Sequence, residues 1–392
     1  MKFPQSIAVG TEVNLESLRE FVSAKVIAAA ATHDKDDGFP LEIYRELHRL
    51  GWLQAFIPRE FGGGGLPTSD LIHIAREVAY GSSGVYTSAC VLPLALTPII
   101  HFAQPRLRAT LCEDFVRNFQ LWSFCFTEPD AGFDINSLKT TASKVPGGYL
   151  LNGVKCFITN AGVADHLTVI ARNPNAERTI SAFYVPANSP GVTRGKPLEK
   201  MGQRCSNTSE LFFEKVFIPD EHLIGVEGQG FKIAYHTLQR NKTLVSAAAV
   251  GVSLRAMDLI TEHLAHRIRY EKPLLAQPMI QGLLAQLQTE IEASWLLTCR
   301  SAATWDAGVS AVKEASMAKL FATHTAVKVV SEIVELFGGY GYCREFEIER
   351  LHRDVRVLEI YEGSSFIQQT LIARELFGKH LTPAATTKRR AA

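Results

Sequence analysis

The feature that most restricts the fold of this chain is a change of period in its middle. Between two long stretches patterned for helix lies a block, about residues 121–230, that is patterned for strand. Strands fit residues 121–126, 166–171, 179–185 and 210–217, and Pro146-Gly147-Gly148 and Asn152-Gly153 read as turns between β-rich runs. A doubly wound sheet needs strands alternating with helices and a GxGxxG turn after a strand. Neither pattern occurs, so a Rossmann dinucleotide fold is set aside.

The flanks are helical for a different reason, an apolar repeat every three to four residues. Leu15, Leu18, Val22 and Val26 mark a helix over 14–30 with Asn14 as its cap. A second helix spans 41–50 and ends at Gly51, and Asp70 or Ser69 is expected to cap a third that runs to Ala79. The glycine run Gly62–Gly65 has no leading strand and no following GKS/T, so it reads as a loop rather than a phosphate cradle. The apolar stretch 85–102, with Pro93 and Pro98 inside it, reads as a buried, bent helix. Beyond the β-rich block, helices are expected over 243–266, 279–303 and 310–336, the last ending at Gly338-Gly339. The expected units are 1–120, 121–230 and 231–380, with 381–392 as a disordered tail.

Charge narrows the function classes. Forty-one basic residues face forty acidic ones for a formal net charge of +1, so nothing global points to nucleic acid or an anionic membrane. The seven cysteines are scattered and form no CxxC pair, against a disulfide framework or a structural zinc site and in favour of a reducing compartment. The opening residues lack the apolar core of a signal peptide, and no apolar run is read as long enough to span a membrane. A cytoplasmic enzyme is the expectation, with no metal.

The stretch Leu358-Glu-Ile-Tyr-Glu-Gly-Ser-Ser-Phe-Ile-Gln368 holds the strongest chemical candidate. Glu362 lies between Tyr361, which can exclude water, and Gly363, which lets another molecule approach the backbone closely. A carboxylate kept dry gains proton affinity and becomes a useful base near neutral pH. The same residues also suit the start of a surface helix, with an acid at its positive end. Elsewhere the alternatives are bland. Glu262, His263 and His266 fit a polar helix face better than a metal cluster. His352-Arg353-Asp354 lacks the companions of a kinase loop and is expected in a solvated helix or turn, and Cys205 reads as structural.

Taken together, several short elements give the chain a specific likeness. Thr127-Glu-Pro-Asp-Ala-Gly-Phe-Asp134, Phe157-Ile-Thr-Asn160, Met201-Gly-Gln-Arg-Cys-Ser206, Arg267–Tyr270, Phe337-Gly-Gly-Tyr-Gly341 and Tyr361–Gln368 follow one another in order. In that order they resemble the flavin-dependent acyl-CoA dehydrogenases, most closely the medium-chain type, over about residues 14–378. The resemblance implies an α+β fold: an N-terminal helical domain, a central β-barrel-like or sandwich domain, and a C-terminal four-helix bundle. It implies FAD as cofactor and Glu362 as the base that takes the α-proton of an acyl thioester while the β-hydride leaves for flavin N5. It also implies a homotetramer built as a dimer of dimers, electron-transferring flavoprotein as acceptor, and a place in fatty acid metabolism.

By the same resemblance Phe124, Phe126 and Thr127 line the isoalloxazine, Phe157 lies against it, and Thr159 hydrogen-bonds near N5. Arg267 pairs with the FAD pyrophosphate of a neighbouring subunit, Tyr270 packs by the adenine, and Gly338 and Gly339 let the backbone approach that cofactor. Gly132 and Phe133 belong to the signature loop, Phe133 standing where the family has serine near pyrophosphate and pantetheine. Glu335 replaces a glutamine, Ser364 supplies the hydroxyl usually given by threonine, and Phe366 stands where an amide or acid is common. On the substrate side, Tyr86, Cys90, Val91 and Leu94 form the floor of the acyl pocket and suit a short to medium apolar chain, with Tyr361 and Gly363 beside the thioester. Asn241 and Lys242 occupy the positions of a Glu-Arg pair that carries the base in some relatives, and asparagine cannot serve as that base. An acyl-carrier-protein substrate, or a catalytically silent binding protein, are the other functions considered for such a chain.

Overall fold

A computed structural model describes residues 14–132, 137–174, 179–269 and 271–381. Phe133, Tyr270 and the expected tail lie outside the described residues, apart from Leu381 at the end of the last helix. The first helical region comprises α1 (Leu15–Phe21), which passes through a π-turn into α2 (Ala28–Lys35), then α3 (Leu41–Arg49), α4 (Thr68–Gly81), α5 (Ser83–Phe102) and α6 (Pro105–Arg117). Asn14 caps α1 as expected, its side chain accepting from the Ser17 N–H at 3.2 Å. The cap expected for α4 is not local. Pro67 precedes it without a side-chain cap, and the Asp306 carboxylate, far along the chain, accepts from the Thr68 and Ser69 N–H groups at 2.8 Å each.

The middle region is one sheet of β1 (Trp122–Cys125), β2 (Thr141–Val145), β3 (Gly148–Thr159), β4 (His166–Arg172), β5 (Ile180–Pro186), β6 (Val192–Arg194), β7 (Thr208–Pro219) and β8 (Leu223–Ile224). Its order is β6-β7-β3-β2-β4-β5-β8, with β1 parallel to β4. The hairpin at Gly147 forms as expected, between β2 and β3. Asn152-Gly153, by contrast, is not a turn. It is a bulge inside β3, where the pairing to β7 shifts and the Asn152 side chain accepts from the Lys215 N–H at 2.8 Å. Gly153 has φ +145°, and a Cβ there would come within 2.6 Å of Thr140 Cα.

The third region contains α7 (Gly230–His266), α8 (Pro278–Asp306), α9 (Val312–Phe337), α10 (Glu347–Val355) and α11 (Ser365–Leu381). Helices α7, α8, α9 and α11 make the bundle. One hydrophobic core runs through both helical regions, joining Leu47, Ile72 and Leu92 to Val252, Ile291 and Val329, and a second lies on the sheet around Leu167, Phe183 and Leu211. The expectation that no apolar run reaches membrane length needs correction. Ser83–Phe102 and Gly230–His266 are both long and apolar enough, but 72% and 78% of an apolar 18-residue window in each is buried inside the fold. Their apolarity is that of core helices wrapped by others.

Candidate functional site

Glu362 sits in the turn between the 3₁₀ segment Arg356–Glu359 and α11, in left-handed backbone at φ +54°, followed by Gly363 at φ +91°. Such a conformation is costly for a residue with a Cβ and persists where surrounding contacts enforce it. Those contacts are present. Lys319, fully buried on α9, donates to the Gly363 carbonyl at 2.8 Å, and the Gln368 amide donates to the carbonyls of Gly363 at 2.8 Å and Glu362 at 3.3 Å.

The Glu362 side chain points into protein rather than out along a surface helix. Its Oε1 accepts from the Asn241 amide, while Oε2 is buried with no hydrogen-bond partner. Burial pushes the carboxyl up to about 7, against the opposing pull of the Asn241 amide and the Lys319 and Lys242 ammoniums. Burial also lowers Lys242 and Lys319 to about 8, partly offset by Glu362. A carboxylate and two ammoniums are thus brought within a narrow pH range by being kept from water together.

Behind Asn241 lies α5. The Cys90 thiol donates to Asn241 Oδ1 at 3.5 Å and accepts from the Tyr86 hydroxyl at 2.9 Å. Tyr86 and Cys90 also line a small apolar cavity of about 60 Å³, shared with Phe56, Ile74, Pro93 and Leu244. Val91 and Leu94 are buried in the main core and do not line that cavity. Tyr361 is half-buried against the same core.

The sheet contributes an aromatic mouth. The Phe124 and Phe126 rings are parallel within 4° at 6.3 Å, and Thr127 accepts from the Cys156 N–H at 2.9 Å. Phe157 stands on a second irregularity of β3, at φ +55°, with its side chain 68% exposed. An unbulged strand would alternate and send it elsewhere. Thr159 is half-buried, its carbonyl accepting from Ser123 at 2.8 Å. Gly132 is exposed, and an added Cβ there would meet nothing. A separate open groove of about 700 Å³ is lined by Arg267, His263, Tyr340 and Phe346. Arg267 Nη1 donates to the Phe337 carbonyl at 3.3 Å and its guanidinium lies 5.4 Å from the Tyr340 ring. Gly338 and Gly339 next to it are open, Gly338 at φ +63°. Glu335 is exposed, Ser364 half-buried, and Phe366 is 78% exposed.

Several residues that hold these parts together were not singled out by sequence reasoning. Asn160 donates to the Ser88 carbonyl of α5 at 3.0 Å and to that of Trp122 at 3.3 Å, which fixes the end of β3 against the helix bearing Tyr86 and Cys90. Glu128 accepts from the Lys139 and Thr140 N–H groups and pairs with the fully buried Lys155 at 2.7 Å. Asp354 lies in a helix, one of the two settings expected for its motif, but it is not solvated there. It is buried, and its carboxylate accepts from the Gln203 N–H, docking the 201–206 loop on α10. Gly202 is required there, since a Cβ would fall 2.4 Å from Arg353 backbone. Cys205 is buried, and its thiol is raised to about 12 by burial, as a structural cysteine should be. All seven cysteines are free. The signals were available in part, since Lys155 and Lys319 are charges set in apolar sequence, but nothing in a linear pattern pairs them.

A barrel-like sheet held between helical layers, with a dry acid where the bundle meets α5, is the architecture of a three-domain dehydrogenase. Models of the acyl-CoA dehydrogenase N-terminal, middle and C-terminal domains match residues 12–118, 123–216 and 228–377. The chain belongs to the acyl-CoA dehydrogenase family. It is 35% identical over 364 residues to an acyl-CoA dehydrogenase of Bacillus subtilis, covering 92% of this chain and 96% of that one. Among solved structures it resembles butyryl-CoA dehydrogenase from Megasphaera elsdenii, with a TM-score of 0.91 and 31% identity over 96% of this chain and 100% of that one. It also resembles the prolyl acyl carrier protein oxidase AnaB, with a TM-score of 0.89 and 26% identity over 92% and 97% of the two chains. The chain is therefore an oxidoreductase of the kind acting on CH–CH groups, and FAD is the cofactor of its family and its own. The residues present fit that group: an outward aromatic on a bulged strand, a parallel aromatic pair on the same sheet, and an open groove that holds Arg267 and Arg269 and follows on to the open glycines Gly338 and Gly339.

Proposed function

We propose that this enzyme α,β-dehydrogenates an acyl thioester, acyl-CoA to trans-2-enoyl-CoA, with Glu362 taking the α-proton. The observation that supports it most is the Glu362 carboxylate itself, dry, held by one oxygen, and raised to about 7 so that at neutral pH it is partly ionised and basic enough to take a proton. As the α-proton leaves, negative charge builds on the thioester oxygen, and the Glu362 N–H is the donor assigned to it. When bound, FAD supplies the acceptor for the β-hydride. Phe124, Phe126, Thr127, Gly132, Phe157 and Thr159 hold its ring system and exclude water from it. Arg267, Gly338 and Gly339 receive the pyrophosphate end of the cofactor from a neighbouring subunit of a homotetramer, a charge-assisted contact. The exposed apolar side chains Met279, Tyr342 and Phe366 on the C-terminal helices are in keeping with such an assembly.

The substrate in this reading is a short to medium apolar chain, in keeping with the small apolar cavity of about 60 Å³ that Tyr86 and Cys90 line. Electron-transferring flavoprotein takes the electrons onward, and the free cysteines suit the cytoplasm. The likeness to AnaB favours a second reading in which the acyl group rides on a carrier protein. A silent scaffold is disfavoured, since it would have no use for a strained, buried base. The test is anaerobic flavin bleaching across chain lengths, offered on CoA and on carrier protein. Glu362→Gln is expected to keep FAD and lose bleaching by at least about a thousandfold. Full activity in that variant would refute the assignment.

A further inference from the structure

Among the described residues no ion pair grips the base; a chain of neutral groups does. The Tyr86 hydroxyl donates to Cys90 Sγ at 2.9 Å, the Cys90 thiol donates to Asn241 Oδ1 at 3.5 Å, and the Asn241 amide donates to Glu362 Oε1. The order of donors is forced at one end. An ionised carboxylate only accepts and an amide NH₂ only donates, so towards the charged form of the base Asn241 must present nitrogen to Glu362 and oxygen to Cys90. Flipping the amide would set two oxygens against each other and leave the buried thiol donating to nothing. All four side chains are largely enclosed, and Tyr86 and Cys90 at the far end line the small apolar cavity.

We propose that Asn241 is the positioning residue for the base: it fixes Oε1, leaves Oε2 as the oxygen that receives the α-proton, and is itself locked by Cys90 and Tyr86. The chamber floor and the base then form one hydrogen-bonded unit. This rests on the reading of Glu362 given above. The choice of residue has a chemical sense. An aspartate or glutamate at this position would add a second titrating acid against Glu362, and an apolar residue would leave Oε1 unsolvated. Asparagine stabilises the ionised base without adding a charge. The other groups facing Glu362 are Lys242 on α7, Lys319 on α9, and the Tyr86, Cys90 and Tyr361 side chains, and the variants below leave both lysines in place.

The measurement is an infrared pH titration of the protonated-carboxyl band in the holoenzyme, identified by its loss in Glu362→Gln, run beside the pH profile of flavin reduction. Asn241→Leu is expected to raise the Glu362 midpoint by about one unit, the size of a lost hydrogen bond to a charged group. The acid limb of flavin reduction should move up by the same amount while FAD remains bound. Cys90→Ala should shift both in the same direction by less, and Cys90→Ser, which restores a donor, should return them to the wild-type values. Unmoved midpoint and acid limb in Asn241→Leu would overturn the proposal, as would equal shifts in Cys90→Ala and Cys90→Ser. If Asn241→Leu does not fold, the Cys90 pair decides alone. A wild-type flavin that no acyl thioester bleaches would sink the proposed function, yet the infrared titration would still report on Asn241.

Discussion

A glutamate at φ +54° with one carboxylate oxygen unpartnered is an expensive residue to keep, and its cost depends on pH in a defined way. Burial holds the folded carboxyl at about 7, whereas its ordinary value is 4.5. Between those values the folded chain keeps a proton that the unfolded chain has lost. Stability from this group is therefore greatest below 4.5, declines as pH rises through that window, and is flat above it. Glu362→Gln has no such proton to lose. Its melting temperature relative to wild type should rise from pH 4.5 to about 7 and then level off; a difference that stays constant across the window would contradict the burial of the side chain. Lys242 and Lys319 act in the opposite sense, since burial lowers both from 10.5 to about 8. They bind fewer protons in the folded chain between those values, so their contribution grows as pH rises from 8 towards 10.5. The two windows do not overlap, which allows one titration series to separate them.

At the level of elements, the Thr127–Gly132 loop shows what a motif conceals. Its glutamate is bound up within the protein. Glu128 accepts two backbone N–H groups from 139–140 and pairs with Lys155 on β3, whose ammonium also donates to the Phe126 carbonyl at 3.0 Å. The pair fastens the loop to the sheet beside the aromatic mouth. Lys155→Met should leave Glu128 buried and unpaired, at a cost of about 3–5 kcal/mol, and loosen FAD. Glu128→Gln combined with Lys155→Met should recover most of that stability. Urea titration of the single and double variants checks this, and a double variant no better than the single would show the pair is not a unit. The period of the sequence told helix from strand here, because apolar spacing reflects which face is buried. It also carried the hairpin at Gly147, where the turn chemistry is local. It misread Asn152-Gly153, because the same dipeptide serves a bulge when a partner strand closes over it, and here Thr140 lies against Gly153. It could not find the α4 cap, because Asp306 arrives from the far end of α8. Glu362 was visible through its neighbours Tyr361 and Gly363, whereas its holders Asn241, Lys319 and Gln368 come from three separate helices.

For the whole molecule, the two helical regions behave as one body, because α4 and α7 approach so closely that no side chain fits between them at Gly251. A Cβ there would stand 2.2 Å from the Arg76 carbonyl oxygen and 3.0 Å from the Tyr80 nitrogen. Arg76, on α4, is buried, bonded to Glu77 at 2.6 Å and stacked 4.6 Å over Trp295 of α8, so α4 cannot yield without disturbing two helices of the bundle. The same α7 carries Asn241, ten residues earlier, whereas the aromatic mouth is carried by the sheet, its Phe124 and Phe126 rings packing against the helical core. Gly251→Ala should therefore have a split outcome. Forcing the helices apart is expected to cost about 1–3 kcal/mol, read as a lower thermal midpoint. Flavin should stay bound, since its ring site rests on the sheet. Flavin reduction should nevertheless slow, because a displaced α7 moves the amide that holds Glu362, and a misplacement near 1 Å costs about a hundredfold in rate. If Gly251→Ala instead lost FAD while reducing normally whatever flavin remained, the base and the bundle crossing would be uncoupled, and the helical regions would have to be treated as separate bodies.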